Sequence, residues 1–285
     1  MAKKKTPKPP CRLQVLLARE APIGVIFRRG PTRWVQITQW RTDTDEFQYG
    51  QWFRGHIYTG RSDLSPDGSL MIYFANKFNY RTVVSKEFAS SWTAISRPPY
   101  LTALALWPKM DCWHGGGLFT GKRSVFLNHK PEEAFPHHLH QPKKIKVASN
   151  PNAYGEDDPI FGPRMERDGW KFVQWLDYDY FGRRTLKPAV FEKKHASKKC
   201  KLRVERYFDP EEQWLCSIID TQERNLFVGV GTWADFDQQD RLVFACDGKI
   251  FSGDITNAEV RLTELADFNS ATPERLESPA WARKW

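Results

Sequence analysis

Leu242-Val243-Phe244-Ala245-Cys246-Asp247-Gly248-Lys249-Ile250-Phe251 is the stretch that decides the fold class. Two short runs of β-branched and aromatic residues flank Asp-Gly, a dipeptide that accepts the positive φ angles of a tight turn whose twist matches its strands. The segment predicts a β-hairpin. Outward from it the same pattern recurs. Asp67-Gly68 and Asp168-Gly169 mark two further turns, each ahead of an apolar or aromatic run. Residues 23–27, 34–40, 70–74, 101–107, 170–175, 189–191, 226–230 and 260–265 read as strands bounded by Gly, Pro or Asp. No long stretch places apolar residues at helical spacing behind a cap, so almost no helix is expected. The predicted class is all-β, with antiparallel sheets assembled from local hairpins.

Four segments echo one another: Asp63-Leu64-Ser65-Pro66-Asp67-Gly68, Ala94-Ile95-Ser96-Arg97-Pro98-Pro99, Ala234-Asp235-Phe236-Asp237 and Ala266-Asp267-Phe268-Asn269. Each sets a small or acidic residue, an apolar anchor and a turn-former in order, and the first three precede an apolar strand. This is a repeat signature. The fuller phrase Ser62-Asp63-Leu64-Ser65-Pro66-Asp67-Gly68-Ser69-Leu70-Met71-Ile72-Tyr73-Phe74-Ala75 resembles the inner-strand, turn and strand of WD-repeat and TolB-like propeller blades. That resemblance implies a small β-propeller of antiparallel four-stranded blades. The length suits five blades, with six also fitting and a β-sandwich as the alternative. Neighbouring echoes lie about 31 residues apart, whereas a blade takes about 40 to 50, which leaves open whether they mark equivalent strands. Residues 1–10 read as a disordered basic tail and 11–285 as one domain, with a long loop near 128–163 that is rich in Pro, Lys, His and Gly.

Composition sets the outer limits. The chain has 285 residues, a net charge of +9 and 12 Trp, too much ring surface for a disordered polymer. Lys3, Lys4, Lys5 and Lys8 concentrate positive charge in the tail, where it solubilises the chain or meets nucleic acid. A second basic cluster, from Lys193 to Arg206, reads as one solvated strand face. The five cysteines, Cys11, Cys112, Cys200, Cys216 and Cys246, are scattered without a Cys-x-x-Cys pair, which excludes a disulfide framework and a zinc knuckle. No run reaches the roughly 18 apolar residues needed to span a bilayer. A cytoplasmic location without membrane contact is expected.

The candidate sites begin with Asp111-Cys112-Trp113-His114-Gly115-Gly116-Gly117. Three glycines permit close backbone approach, and Cys112 and His114 are of the types that bind soft metals or pair as nucleophile and base. Nothing local supplies a third ligand, and no Gly-Lys-Ser follows to make a phosphate loop. A structural turn or a partner-contact loop fits better. His137, His138 and His140 sit in a Pro-bounded loop, which is either solvated or able to take up a metal. The acidic groups Glu156-Asp157-Asp158 and Asp177 with Asp179 have the chemistry of acid–base pairs but lack a calcium-loop spacing. Tyr178, Tyr180, Arg183 and Arg184 interleave rings with cations, as interfaces and single-strand binders do. Trp107, Trp170, Trp175 and Trp233 are expected in the core, and Trp40, Trp52 and Trp113 at the surface. No catalytic residue, metal or cofactor is assigned. The expected function is a non-enzymatic protein-binding platform in which Trp113, His114, Tyr178, Tyr180, Arg183 and Arg184 meet the partner. A nucleic-acid binder and a hydrolase or lyase acting on a sugar or polymer are the alternatives.

Overall fold

The protein is all-β in its computed structural model, which describes residues 9–78, 89–177, 187–207 and 213–285. Tyr178, Tyr180, Arg183 and Arg184, expected at the partner surface, lie outside the described residues, as do Lys3, Lys4, Lys5, Lys8 and Asp179. The first sheet takes β1 (Arg12–Leu17), β2 (Ile23–Arg29), β3 (Trp34–Arg41) and β4 (Glu46–Arg54) in sequence order. The second takes β5 (His56–Leu64), β6 (Met71–Asn76), β7 (Ser91–Ser96) and β8 (Ala105–Lys109). In the third, β9 (Gly117–Gly121) pairs with β10 (Ser124–Leu127), which pairs in parallel with β11 (Lys146–Ser149). The fourth has β12 (Lys171–Trp175), β13 (Ala189–Lys194), β14 (Cys200–Arg206), β15 (Trp214–Asp220) and β16 (Asn225–Gly231). The fifth has β17 (Trp233–Phe236), β18 (Leu242–Cys246), β19 (Lys249–Ile255) and β20 (Val260–Asp267).

The hairpin at 242–251 forms as its sequence predicts: Cys246 faces Lys249, and Asp247 and Gly248 take φ of 49° and 73°. The echoes separate into two kinds. Asp63 and Asp235 both lie near the end of the first strand of a sheet and precede the turn into the second, while Ala94 lies in a third strand and Ala266 in a fourth. Only the first and third echoes are equivalent, which accounts for the short spacing between neighbours.

Successive sheets stack face to face, so the middle ones are buried on both faces and their strands read as continuous apolar runs. Leu16, Val25, Phe27 and Ile37 of the first sheet pack on Ile57, Met71, Tyr73 and Ala75 of the second. The opposite face of the second sheet, Ile72, Ile95 and Trp107, packs on Phe119, Val125 and Leu127 of the third. The other face of the first sheet, Leu13, Val15, Ile26 and Trp40, joins the core shared with the fourth and fifth sheets. This arrangement corrects the expectation for Trp40. It is fully buried, because its sheet has no solvent face, and its Nε1 donates to Asp45 at 3.1 Å. Trp175 departs in the other direction: it lies on the edge strand β12 and is 52% exposed, whereas Trp107, Trp170 and Trp233 are buried. Trp52 is half-buried.

Two further stretches differ from the sequence reading. Residues 101–104 are not strand, and the apolar run enters the sheet only at β8. The stretch 128–163 holds a short 3₁₀ turn (Pro131–Glu133), β11 and the start of a ten-residue helix, α1 (Asp158–Arg167). Pro159, Gly162 and Pro163 hide this helix from propensity. Pro159 sits near its start, where a missing N–H costs nothing, and Ile160, Phe161 and Met165 supply a buried face. The helix touches β5, β9 and β12, filling the space between the second, third and fourth sheets.

Candidate functional site

Strand directions fix two ends of the molecule. His56, Asn76, Ser91 and Lys109 align in register at one end of the second sheet, and Leu64, Met71 and Ser96 lie at the other. The glycine-rich loop after β8 belongs to the first of these ends, and a single buried cation organises it. Arg61 has no exposed side-chain surface. Its Nη1 donates to the carbonyls of Cys112 at 2.6 Å and His114 at 2.7 Å, and its Nε to Asp157 at 2.9 Å. Its Nη2 meets Glu156 at 3.0 Å, and the guanidinium lies over the rings of Tyr58 and Phe74. A buried charge is tolerable where opposite charge and acceptors surround it, and here the loop supplies two carbonyls and the N-terminal end of α1 two carboxylates.

The glycines at 115 and 116 are needed for that approach. A Cβ on Gly116, at φ +77°, would lie 2.1 Å from the Arg61 carbonyl, and one on Gly115, at φ +91°, would lie 2.4 Å from the Phe74 ring. Gly116 N–H donates to Thr93 Oγ1 at 2.8 Å, which leaves the hydroxyl proton for Nε2 of a neutral His129, also at 2.8 Å. Burial, with Lys109 nearby, lowers the His129 pKa from 6.5 to about 4.

This geometry separates the residues that the sequence placed together. Cys112 Sγ receives Asn76 Nδ2 at 3.3 Å, while the His114 ring faces Glu133, with Nδ1 3.7 Å from its carboxylate. The Cys112–His114 pairing is therefore not assembled, because His114 takes a left-handed backbone (φ 57°) instead of the extended one that would align residues two apart. His114 also keeps only 16% of its side chain exposed, so the loop offers it little to a partner. Trp113 is 62% exposed, in agreement with the surface position expected for it. Met110 (67%), Phe135 (71%) and Tyr154 (61%) are exposed on adjoining loops. Those loops are tied to one another: Ser90 Oγ donates to the Met110 carbonyl, His114 N–H to Gly155, Asn128 Nδ2 to Tyr154, and Lys109 Nζ to Glu133 at 2.6 Å.

Of the acidic candidates, Glu156 and Asp157 do share the wall of a 260 Å³ pocket, but both are engaged by Arg61. Asp177 lies elsewhere, bonded to Lys187 at 2.6 Å. The His137, His138 and His140 rings gather, with centroids 4.5 and 5.5 Å from that of His137. His140 Nδ1 pairs with the Ala103 carbonyl, and His137 Nδ1 accepts from Leu139 N–H. Among the described residues no group of three or more His, Cys, Asp or Glu side chains is placed to hold a metal.

Sequence reasoning missed a cavity of about 430 Å³, bounded by β1, α1, β17 and the turn after it. Arg167 bridges Asp63 at 2.7 and 2.9 Å and Asp168 at 2.8 and 3.0 Å. Lys193 Nζ and Trp170 Nε1 both donate to Asp235, at 2.6 and 3.3 Å. Burial raises the Asp235 carboxyl above its usual range, against the pull of Lys193. Asp63 and Asp235 belong to the two equivalent echoes, and their repetition was the available signal. Arg164 and Arg167 gave none, because their helix was not legible.

No family model matches the chain, and no curated protein does. Among the solved structures the chain is similar to, the uncharacterized protein lmo1340 from Listeria monocytogenes EGD-e aligns over 90% of this chain and 84% of its own. That alignment has 15% identity and a TM-score of 0.30. Among the described residues no helix is long and apolar enough to cross a membrane.

Proposed function

We propose that the chain is a non-enzymatic protein-binding platform whose contact surface is the loop rim bearing Met110, Trp113, Phe135 and Tyr154. The observation that carries this reading is the exposure of these four large side chains, 67, 62, 71 and 61%, on loops otherwise fastened by hydrogen bonds and ion pairs. Apolar side chains at that exposure gain roughly 25 cal/mol per Å² when a partner covers them. Trp and Tyr are frequent anchors of such contacts. Loops already held by Arg61 and the Lys109–Glu133 pair lose little conformational entropy on binding.

The architecture proposed for the platform is a five-bladed, propeller-like ring. Support comes from the simple strand order of the first, second and fifth sheets, and from β13–β16, which repeats that order with β12 added at its edge. Contacts of β1 with β5 on one side and with β17 and β18 on the other also favour it. A cytoplasmic location agrees with five free cysteines.

The test compares proteins retained by the tagged wild type and by a Trp113→Ala, Tyr154→Ala variant from nuclease-treated extract of its own host. A stoichiometric partner, identified by mass spectrometry, should be lost with the variant. Equal recovery by both proteins would remove this rim as the contact surface.

A further inference from the structure

The cavity bounded by β1 and α1 shares no lining residue with the loop rim at Trp113, and one of its buried cations is unlike the rest. Arg164 is only 8% exposed. Its Nη1 donates to the Thr59 carbonyl at 2.9 Å and to the Ser62 carbonyl, and its guanidinium lies over the Phe161 ring. Among the described residues Nε and Nη2 have no acceptor, and no carboxylate lies within ion-pair distance of this side chain. The charges of Asp63 and Asp168 reach it through space, but both carboxylates are bonded to Arg167. Lys193 likewise holds Asp235, and Arg241 holds Asp237. An enclosed guanidinium with open donors is costly until an acceptor meets them. Counting Arg241, which reaches Asp237 from outside the wall, the cations around the cavity exceed the carboxylates by one, so a singly charged anion leaves the site neutral.

The rest of the wall narrows the kind of anion. Nε and Nη2 form the edge of a guanidinium that grips the two oxygens of a carboxylate with parallel hydrogen bonds. Trp170, Trp214 and Trp233 line the same cavity and are buried, offering flat apolar surface to a ring. Polar groups accompany them: Gln14 gives its Nε2 to the Thr232 carbonyl and keeps its Oε1 as an acceptor, and the Lys193–Asp235 pair stands on the same wall. Rings beside hydroxyl-matching groups suit a sugar, whose C–H faces are apolar and whose edges are not. About 430 Å³ lies within the roughly 300–1,000 Å³ of small-molecule sites, room for one or two sugar rings and not for a polymer. Gln14, Arg164 and Trp214 also line the neighbouring 260 Å³ pocket, so the guanidinium stands where the two spaces adjoin.

We propose that this cavity binds a small sugar acid, with the carboxylate on Arg164 and the ring against the tryptophans, independently of the partner surface at Trp113. The test is isothermal titration calorimetry of the full chain with glucuronate and galacturonate. Glucose, which keeps the ring and lacks the carboxylate, benzoate, which keeps a ring and a carboxylate and lacks the hydroxyls, and inorganic phosphate are titrated beside them. At least one uronate should bind with unit stoichiometry, and at least about tenfold more tightly than any of the three others. Arg164→Lys keeps the charge and removes the fork, and should weaken uronate binding at least about tenfold. Because Arg164 also holds the Thr59 and Ser62 carbonyls, Gln14→Met is measured in parallel and should weaken binding by about three- to tenfold at an unchanged melting temperature. The Trp113→Ala, Tyr154→Ala variant should bind the uronate as the wild type does. The proposal is overturned if neither uronate binds the folded wild type, if glucose, benzoate or phosphate binds as tightly as the better uronate, or if Gln14→Met and a folded Arg164→Lys both bind as the wild type does. Loss of uronate binding in the Trp113→Ala, Tyr154→Ala variant alone would move the contact to the rim and overturn it as well.

Discussion

Arginine does opposite work in two regions at one end of this molecule. Arg61 is fully enclosed, and it faces two carbonyls and two carboxylates drawn from two separate segments, 112–114 and 156–157. Arg33 and Arg54 stand exposed on the wall of a groove between the first and second sheets, and neither forms an ion pair among the described residues. The first environment makes a charge part of the scaffold, because removing it strands every group that was turned toward it. The second leaves the two guanidinium groups facing solvent.

The sharpest way to break this contrast is Arg61→Met. Leaving the Cys112 and His114 carbonyls and Asp157 without their donor should cost about 3–5 kcal/mol, seen as a large fall in the thermal unfolding midpoint. A loss below about 1 kcal/mol would show that water substitutes freely there, and the distinction between the two regions would fail.

The neighbouring His129 gives the next largest effect. Its folded pKa, about 4, lies below its ordinary value of 6.5, so its contribution is fully present above pH 6.5 and is lost as pH falls toward 4. About 3 kcal/mol should disappear over that window, and His129→Gln should flatten this limb in denaturant titrations at stepped pH. An unchanged limb would place the acid sensitivity elsewhere.

The smallest effect sharpens the comparison from the other side. Arg33→Glu together with Arg54→Glu should change stability by no more than about 0.5 kcal/mol, measured by the same unfolding titration. A larger loss would mean that these side chains have structural work after all.

Much of the fold was legible because it is written locally. The Asp247-Gly248 hairpin and the runs at 23–27, 70–74 and 242–245 carry turn chemistry and β-propensity within a few residues. What escaped depends on partners distant in sequence. Trp40 looks like a surface ring until the core it shares with the fourth and fifth sheets is in place. Helix α1 is stabilised by its buried face against a composition that disfavours it. The site divides in the same way. Trp113 and the close approach of the glycines could be read from one loop, but Arg61 lies 51 residues before the carbonyl it holds at Cys112 and 96 before Asp157. The cavity at Arg164 had no single local signal, since Gln14, Arg164 and Trp214 come from three distant segments and meet only when the sheets are assembled.

The packing of β1 has a consequence in time. Leu13 exchanges hydrogen bonds with Thr232 Oγ1 across 219 residues, and Cys11 N–H reaches Asn269 Oδ1 across 258. At about 5–20 residues per second, a ribosome needs on the order of ten to fifty seconds to make the chain between Cys11 and Asn269. Throughout that interval the core around Leu13 and Val15 lacks some of its fifth-sheet members, so one of the earliest strands made is among the last to be fully covered. The vulnerable period of this protein is thus set by translation speed, and slower synthesis or a missing fifth sheet would extend the exposure of that first strand to aggregation.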